Sequence, residues 1–166
     1  GDGSQFGVKI LWSHEGEGLE TAGGIINALP LLGDEPFILV NGDVWTTMDF
    51  STLLNVDLGD KQAHLVLVEN PPQHLKGDFI LYNGLAYTFE QEQLGEALTY
   101  SGIAVLDPQM FVGLENGKRA LAPLLKQAMQ QQQVSAEKMQ AVWVDVGTPE
   151  RLQQLDQQIK QGVFAQ

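Results

Sequence analysis

The run Phe37-Ile38-Leu39-Val40 constrains this chain more than any other feature. Pro36 closes it on one side and Asn41-Gly42 on the other. Four consecutive apolar residues between turn signals have the length and pattern of a strand buried on both faces. Just before it, Thr21 precedes Ala22 to Leu32, where Ile25, Ile26, Leu29 and Leu32 recur at helical spacing. Gly33 and Pro36 stop that helix. A helix that feeds a doubly buried strand is part of a βα unit, and such units assemble into a sheet layered with helices.

The remaining punctuation extends the pattern. Phe6 to Ser13 predicts a strand with partial alternation. Asp49 is placed to cap a helix to about Val56, and His64 to Glu69 predicts another strand. Phe79 to Tyr82 and Leu85 to Phe89 flank Asn83-Gly84, a two-residue hairpin signal. Leu98 to Leu106 follows as a strand, Pro108 starts a short helix, and Leu121 to Gln130 makes a longer one. The Gln130-Gln133 run reads as a solvated helix end. Ala141 to Val146 is a last strand, and Pro149 opens a helix through Lys160. The order βαβαβ, hairpin insertion, ααβα predicts an α/β fold. Its sheet is expected to be mixed and mostly parallel, with helices on both faces. Residues 1–166 suit a single domain.

Composition narrows the function. The net charge of −12 argues against a broad grip on nucleic acid or an anionic membrane surface. No apolar run reaches the length of a membrane span. Cysteine is absent, which removes disulfides and thiolate metal sites and fits a cytoplasmic location. A small anionic substrate stays compatible with the acidity, because bound magnesium and a few backbone amides neutralise phosphate locally.

Two carboxylates stand out. Asp43 follows Asn41 and Gly42 at the carboxyl end of the Phe37–Val40 strand, the edge where ligands bind in open α/β sheets. Gly42 leaves room for a phosphate, and Asp43 offers a hard oxygen suited to Mg2+. A bare Gly-Asp also fits a turn in which Asp caps local amides. Asp145 closes a second apolar strand in Trp143-Val144-Asp145. Thr148 is better placed than Asp145 to cap the following helix, which leaves Asp145 available as a ligand. Glu20-Thr21-Ala22-Gly23-Gly24 opens a helix whose amides suit an anion or a base edge, although Thr21 as a plain cap explains it equally. Gly77 and Asp78 suit a close backbone approach and a sugar hydroxyl, or else a turn. Ser101-Gly102 suits a bulge as well as a ligand. His14, His64 and His74 lack metal-ligand spacing.

Read in order, Leu19-Glu20-Thr21-Ala22-Gly23-Gly24-Ile25, Val40-Asn41-Gly42-Asp43-Val44-Trp45, Gly77-Asp78-Phe79, Thr99-Tyr100-Ser101-Gly102-Ile103 and Trp143-Val144-Asp145-Val146-Gly147-Thr148 resemble the bacterial sugar-1-phosphate nucleotidyltransferases over nearly the whole chain. The resemblance implies a Rossmann-like fold. It implies UTP and a sugar-1-phosphate as partners, in the reaction of N-acetylmuramate alpha-1-phosphate with UTP to give UDP-N-acetylmuramate and pyrophosphate in peptidoglycan recycling. Glucose-1-phosphate or mannose-1-phosphate as the sugar, and a non-catalytic nucleotide-sugar-binding module, stay open. By the resemblance Asp43 and Asp145 match the magnesium ligands, and Glu20 to Gly24 match the loop near the nucleobase. Asn41 and Gly42 belong to the motif of Asp43. Gly77, Asp78, Ser101 and Gly102 match positions beside the sugar.

The family opens with a strand and a glycine-rich loop carrying a basic residue, which cradles the triphosphate. Neither precedes Gly1-Asp2-Gly3-Ser4 in the sequence. The expectation is therefore a domain lacking its first strand and loop, inactive alone and open to complementation by an N-terminal segment.

Overall fold

The computed structural model describes residues 1–164. Helix α1 (Glu20–Leu32) leads into strand β1 (Phe37–Val40), as the apolar periods require. The chain continues through β2 (Val44–Thr46), β3 (Ala63–Val68), the hairpin β4 (Phe79–Tyr82) and β5 (Leu85–Tyr87), and the long β6 (Glu96–Leu106). Helix α2 (Ala122–Gln130), β7 (Val134–Lys138), β8 (Trp143–Asp145) and helix α3 (Pro149–Lys160) complete it. Asn83 and Gly84 hold φ of 48° and 75°, as a primed hairpin turn demands.

Six strands form one sheet in the order β1-β6-β3-β7-β5-β4, and β4 also pairs with β6. Strands β1, β3, β4 and β7 share a direction, against β5 and β6. The mixed α/β sheet is present, with its parallel majority in strand direction rather than in neighbouring ladders. Among the described residues only β3–β7 is a parallel ladder. The reason is the insertion: β6 returns from the hairpin and enters between β1 and β3, antiparallel to both.

Alternate residues of β3 and β6 serve opposite faces. Leu65, Leu67, Ala104 and Leu106 join Ile25, Ile26, Leu125 and Met129 of α1 and α2 in one core. Val66, Ile103 and Val105 join Leu53 and Leu58 in a second. Burying each such side chain contributes about 1.5–3 kcal/mol. The cover on the second face is a 3-10 helix, Phe50–Asn55, in place of the expected α-helix. Asp49 caps it by accepting from the Ser51 N–H at 2.9 Å.

The segment from Phe6 to Ser13 forms no strand, and Phe6, Val8, Leu11 and Trp12 are exposed. Apolar alternation makes a strand only where a neighbouring ladder accepts its amides. The sequence reading passed over β2 and β7, both short. In β7 the signal was the alternation of buried Val134 and Ala136, masked by the glutamines before it.

Candidate active site

The small two-stranded sheet β2–β8 positions the carboxylates. Its antiparallel register sets Val44 opposite Asp145, and the Val146 N–H donates to the Asp43 carbonyl at 2.9 Å. Asp43 is exposed, and no described residue hydrogen-bonds its carboxylate. A side-chain carbon built on Gly147 would lie 2.9 Å from Asp145 Oδ1 and 3.3 Å from Asp43 Oδ2. Glycine at that position keeps open the space between the two acids. Two hard oxygen donors facing one gap fit magnesium, which keeps several water or phosphate ligands. Among the described residues no group of three or more acids, histidines or cysteines assembles into a cation site, so protein ligands beyond this pair are not supplied.

Asp145 is not free, contrary to the expectation. Its Oδ1 accepts from the Gly147 N–H and its Oδ2 from Arg151 Nη1, both at 2.8 Å. Thr148 does cap α3, accepting from the Arg151 N–H at 3.3 Å. That cap orients the first turn of α3 so that Arg151 reaches back to Asp145. Sequence reasoning missed Arg151, and the signal was its place three residues after the capping Thr148.

The sugar-side positions divide. Asp78 sits at the edge of a cleft of about 220 Å³ that Asn41, Asp43, Tyr100, Gly102 and Asp145 also line. Its Oδ2 accepts from the Tyr100 N–H and its Oδ1 pairs with His74 Nε2, each at 2.9 Å. Gly77 serves the scaffold: its φ is 73° and an added carbon would lie 2.7 Å from the Leu98 carbonyl of β6. Ser101 and Gly102 form a bulge where the β3–β6 register shifts. Ser101 is buried, donating to the Val66 carbonyl at 2.7 Å and accepting from the Ile103 N–H at 3.1 Å. Its hydroxyl is therefore committed to the bulge. Its carbonyl accepts from Trp143 Nε1 at 2.9 Å, tying β6 to β8. Gly102, at φ 79°, meets the Asn41 side chain, and its carbonyl accepts the Asn41 N–H at 2.8 Å. Gly42 faces open space.

Helix α1 starts one residue before Thr21, with Glu20 at φ 60°. Thr21 is not its cap. The helix end is held by a distant segment instead: the Arg119 N–H donates to the Leu19 carbonyl at 2.8 Å, and the Gly23 N–H to the Arg119 carbonyl at 3.1 Å. Gly23 is the residue that lets this segment cross. Glu20 and Thr21 line a cleft of about 430 Å³, bounded also by Asn41, Asp78, Tyr100 and the start of α2. The two clefts share Asn41, Asp78 and Tyr100 and so form one groove. Ala22 is buried, and Gly24 faces Glu15 and a cavity on the far side of α1.

Paired carboxylates at adjacent strand ends open onto a groove beside a mixed α/β sheet, at the edge where such sheets bind ligands. Residues 1–79 match the nucleotidyl transferase family. The chain is 47% identical over 159 residues to the N-acetylmuramate alpha-1-phosphate uridylyltransferase of Neisseria meningitidis serogroup B, covering 93% of this chain and 68% of that protein. It is 26% identical over 156 residues to the mannose-1-phosphate guanylyltransferase catalytic subunit beta of Drosophila melanogaster, covering 89% of this chain and 42% of that one. The fold matches a Bacillus anthracis protein solved with sucrose (TM-score 0.77, 16% identity, 95% of this chain and 68% of that one). It also matches HddC from Yersinia pseudotuberculosis solved with GMP-PN (TM-score 0.65, 19% identity, 87% and 64%). This chain belongs to the nucleotidyl transferase family and is of the sugar-1-phosphate type. No helix among the described residues is long and apolar enough to cross a membrane.

Proposed function

We propose that this chain belongs to a magnesium-dependent uridylyltransferase that converts N-acetylmuramate alpha-1-phosphate and UTP to UDP-N-acetylmuramate and pyrophosphate. The 47% identity to a protein named for that substrate supports the choice of sugar. The observation that carries the chemistry is the gap kept open by Gly147 between Asp43 and Asp145.

In this reading a phosphate oxygen of the sugar-1-phosphate attacks the α-phosphorus of UTP in line. The bond to the β-phosphate oxygen breaks, and pyrophosphate leaves with that electron pair. Asp43 and Asp145 would hold Mg2+, which would supply positive charge to offset the charge on the phosphates. Arg151 and the Gly147 amide fix the direction of the Asp145 carboxylate. Asn41, Asp78 and the backbone at Gly102 line the sugar end, with Asp78 oriented by the Tyr100 amide. Glu20 and Thr21 border the far end of the groove, on the nucleoside side. Positioning and charge supply the rate in such reactions, with little covalent work for the protein. With UDP-N-acetylmuramate as the product, this reading assigns the reaction to peptidoglycan recycling and a cytoplasmic location.

The test measures pyrophosphate release from UTP, Mg2+ and N-acetylmuramate alpha-1-phosphate by the protein that carries this chain, as wild type and as Asp43→Asn. Release that needs both the metal and the muramyl phosphate, and that the substitution lowers by about 10³-fold or more, is the expected outcome. Preference for GTP with mannose-1-phosphate would replace this reading with a guanylyltransferase.

A further inference from the structure

Among the described residues, His74 is the only basic side chain lining the cleft of about 220 Å³ that Asp43, Asp78 and Asp145 share. Its Nε2 lies 2.9 Å from Asp78 Oδ1. A carboxylate offers only acceptors, so Nε2 carries the hydrogen and donates it. The Tyr100 N–H donates to Asp78 Oδ2, also at 2.9 Å. Each oxygen of Asp78 therefore has its own donor, one from the loop before β4 and one from β6. Two donors on two oxygens set the plane of the carboxylate, whereas the Tyr100 amide alone leaves it free to turn.

The loop does not need the imidazole to keep its shape. Asn70 Nδ2 donates to the Leu75 carbonyl at 3.2 Å and to the Ala97 carbonyl at 2.9 Å. Asn70 Oδ1 accepts from the Thr99 hydroxyl at 2.9 Å. The His74 N–H donates to the Pro71 carbonyl at 2.8 Å, and the His74 carbonyl accepts from the Gly77 N–H at 3.2 Å. The Asp78 N–H donates to the Leu98 carbonyl of β6 at 2.8 Å. These bonds place the loop on β6 without using the His74 ring. The ring and its partner are 43% and 38% exposed, so neither is a core group. What their contact fixes is the carboxylate of Asp78.

That carboxylate has work that depends on its orientation. Beside a sugar phosphate it is an acceptor for ring hydroxyls and also a negative charge near an anion. A donor on each oxygen offsets part of that charge and leaves the remaining lone pairs for the sugar. We propose that His74 is a positioning residue for the sugar phosphate, acting through Asp78 by holding its carboxylate in the orientation that accepts a sugar hydroxyl. The proposal rests on the uridylyltransferase reading and deepens it.

The experiment is steady-state kinetics of the protein that carries this chain, in Mg2+, with UTP and N-acetylmuramate alpha-1-phosphate varied in turn. The proteins compared are wild type, His74→Ala, His74→Gln, Asp78→Ala and the double alanine variant. His74→Ala is expected to raise KM for the muramyl phosphate about fivefold or more, with kcat and KM for UTP within about twofold of wild type. His74→Gln keeps a side-chain N–H of similar reach and should bring that KM back to within about twofold of wild type. In the Asp78→Ala background, His74→Ala should change KM by less than about twofold, because it acts only through the carboxylate. Melting temperatures of the His74 variants should stay within about 2 °C of wild type.

An effect of His74→Ala that persists without Asp78 puts the ring against substrate and overturns the proposal. Equal rises in both KM values with a lowered melting temperature make His74 a brace for the loop, and overturn it too. An unchanged KM for the muramyl phosphate does the same, and all three leave the uridylyltransferase reading standing. Wild type that releases no pyrophosphate from UTP and the muramyl phosphate overturns that reading, and this proposal with it.

Discussion

Arg151 on α3 donates from Nη1 to Asp145 Oδ2 at 2.8 Å, while Asp43, the other carboxylate of the pair, receives no such bond from the described residues. The asymmetry separates two roles that activity alone would merge. Both side chains of the Arg151–Asp145 pair are less than one third exposed, at 29% and 30%. Removing Asp145 leaves a partly buried guanidinium with its Nε already unpaired. Asp145→Ala is therefore expected to lower unfolding stability by about 1–3 kcal/mol. Asp43→Ala should stay within about 0.5 kcal/mol of wild type. Both should abolish magnesium-dependent turnover. Urea denaturation of the two variants decides the matter, and equal losses would remove the structural role assigned to the ion pair.

The glycines of the motifs predict a graded series. Gly42 faces open space, so Gly42→Ala should change stability by less than about 0.5 kcal/mol. Gly102→Ala places a carbon about 2.8 Å from Asn41 Nδ2 at a φ of 79°. Left-handed backbone at a non-glycine costs about 1–3 kcal/mol, and the Asn41 Cβ, 2.9 Å away, yields only if the segment after β1 shifts with it. Gly77→Ala combines a φ of 73° with a carbon 2.7 Å from the Leu98 carbonyl, which is backbone in a buried strand and does not yield. Its loss should exceed that of Gly102→Ala. The order of the three midpoints in denaturant is the check, and a Gly77→Ala no worse than Gly102→Ala would contradict it.

The course of the chain through Gly42, Asp43 and Asp145 was legible because strand ends are written locally, in a short apolar run followed by a turn. The hairpin at Asn83-Gly84 was legible for the same reason. What escaped depended on partners distant in sequence. No local pattern says that β6 enters between β1 and β3, since that is settled by which ladder buries Ile103 and Ala104 on opposite faces. Thr21 looked like a helix cap, but the backbone at Arg119 does that work from about a hundred residues away. The strand expected at Phe6 to Ser13 had the composition for a ladder and finds no ladder to join.

Ser101 tests how far a motif residue is also a site residue. Its hydroxyl donates to the Val66 carbonyl and accepts from the Ile103 N–H within the bulge. Ser101→Ala removes both of those hydrogen bonds from a buried bulge, which costs about 1–3 kcal/mol. The expectation is a clear drop in melting temperature with KM for the sugar phosphate changed by less than about threefold. A stable Ser101→Ala with a KM raised tenfold would instead put the hydroxyl against substrate.

His64 gives the fold a pH dependence whose sign follows from its surroundings. It stands on β3 opposite Ser135 of β7, with Nδ1 2.9 Å from the Ser135 hydroxyl and Nε2 3.8 Å from Glu137. Burial pushes its pKa below the ordinary value of 6.5, and the Glu137 carboxylate opposes that shift without cancelling it. The native state therefore resists a proton that the unfolded chain accepts near pH 6.5. Stability is complete above pH 6.5 and is lost progressively as the pH falls below it. The slope from this one group is at most about 1.4 kcal/mol per pH unit. Surface carboxylates titrate mainly below pH 5, so unfolding between pH 7.5 and 5.5 isolates the histidines. Replacing His64 with Gln separates it from His14 and His74. The variant should lose less stability than wild type over that interval, because its side chain takes no proton in either state. Equal losses in the two proteins would mean that His64 is protonated as readily in the fold as out of it.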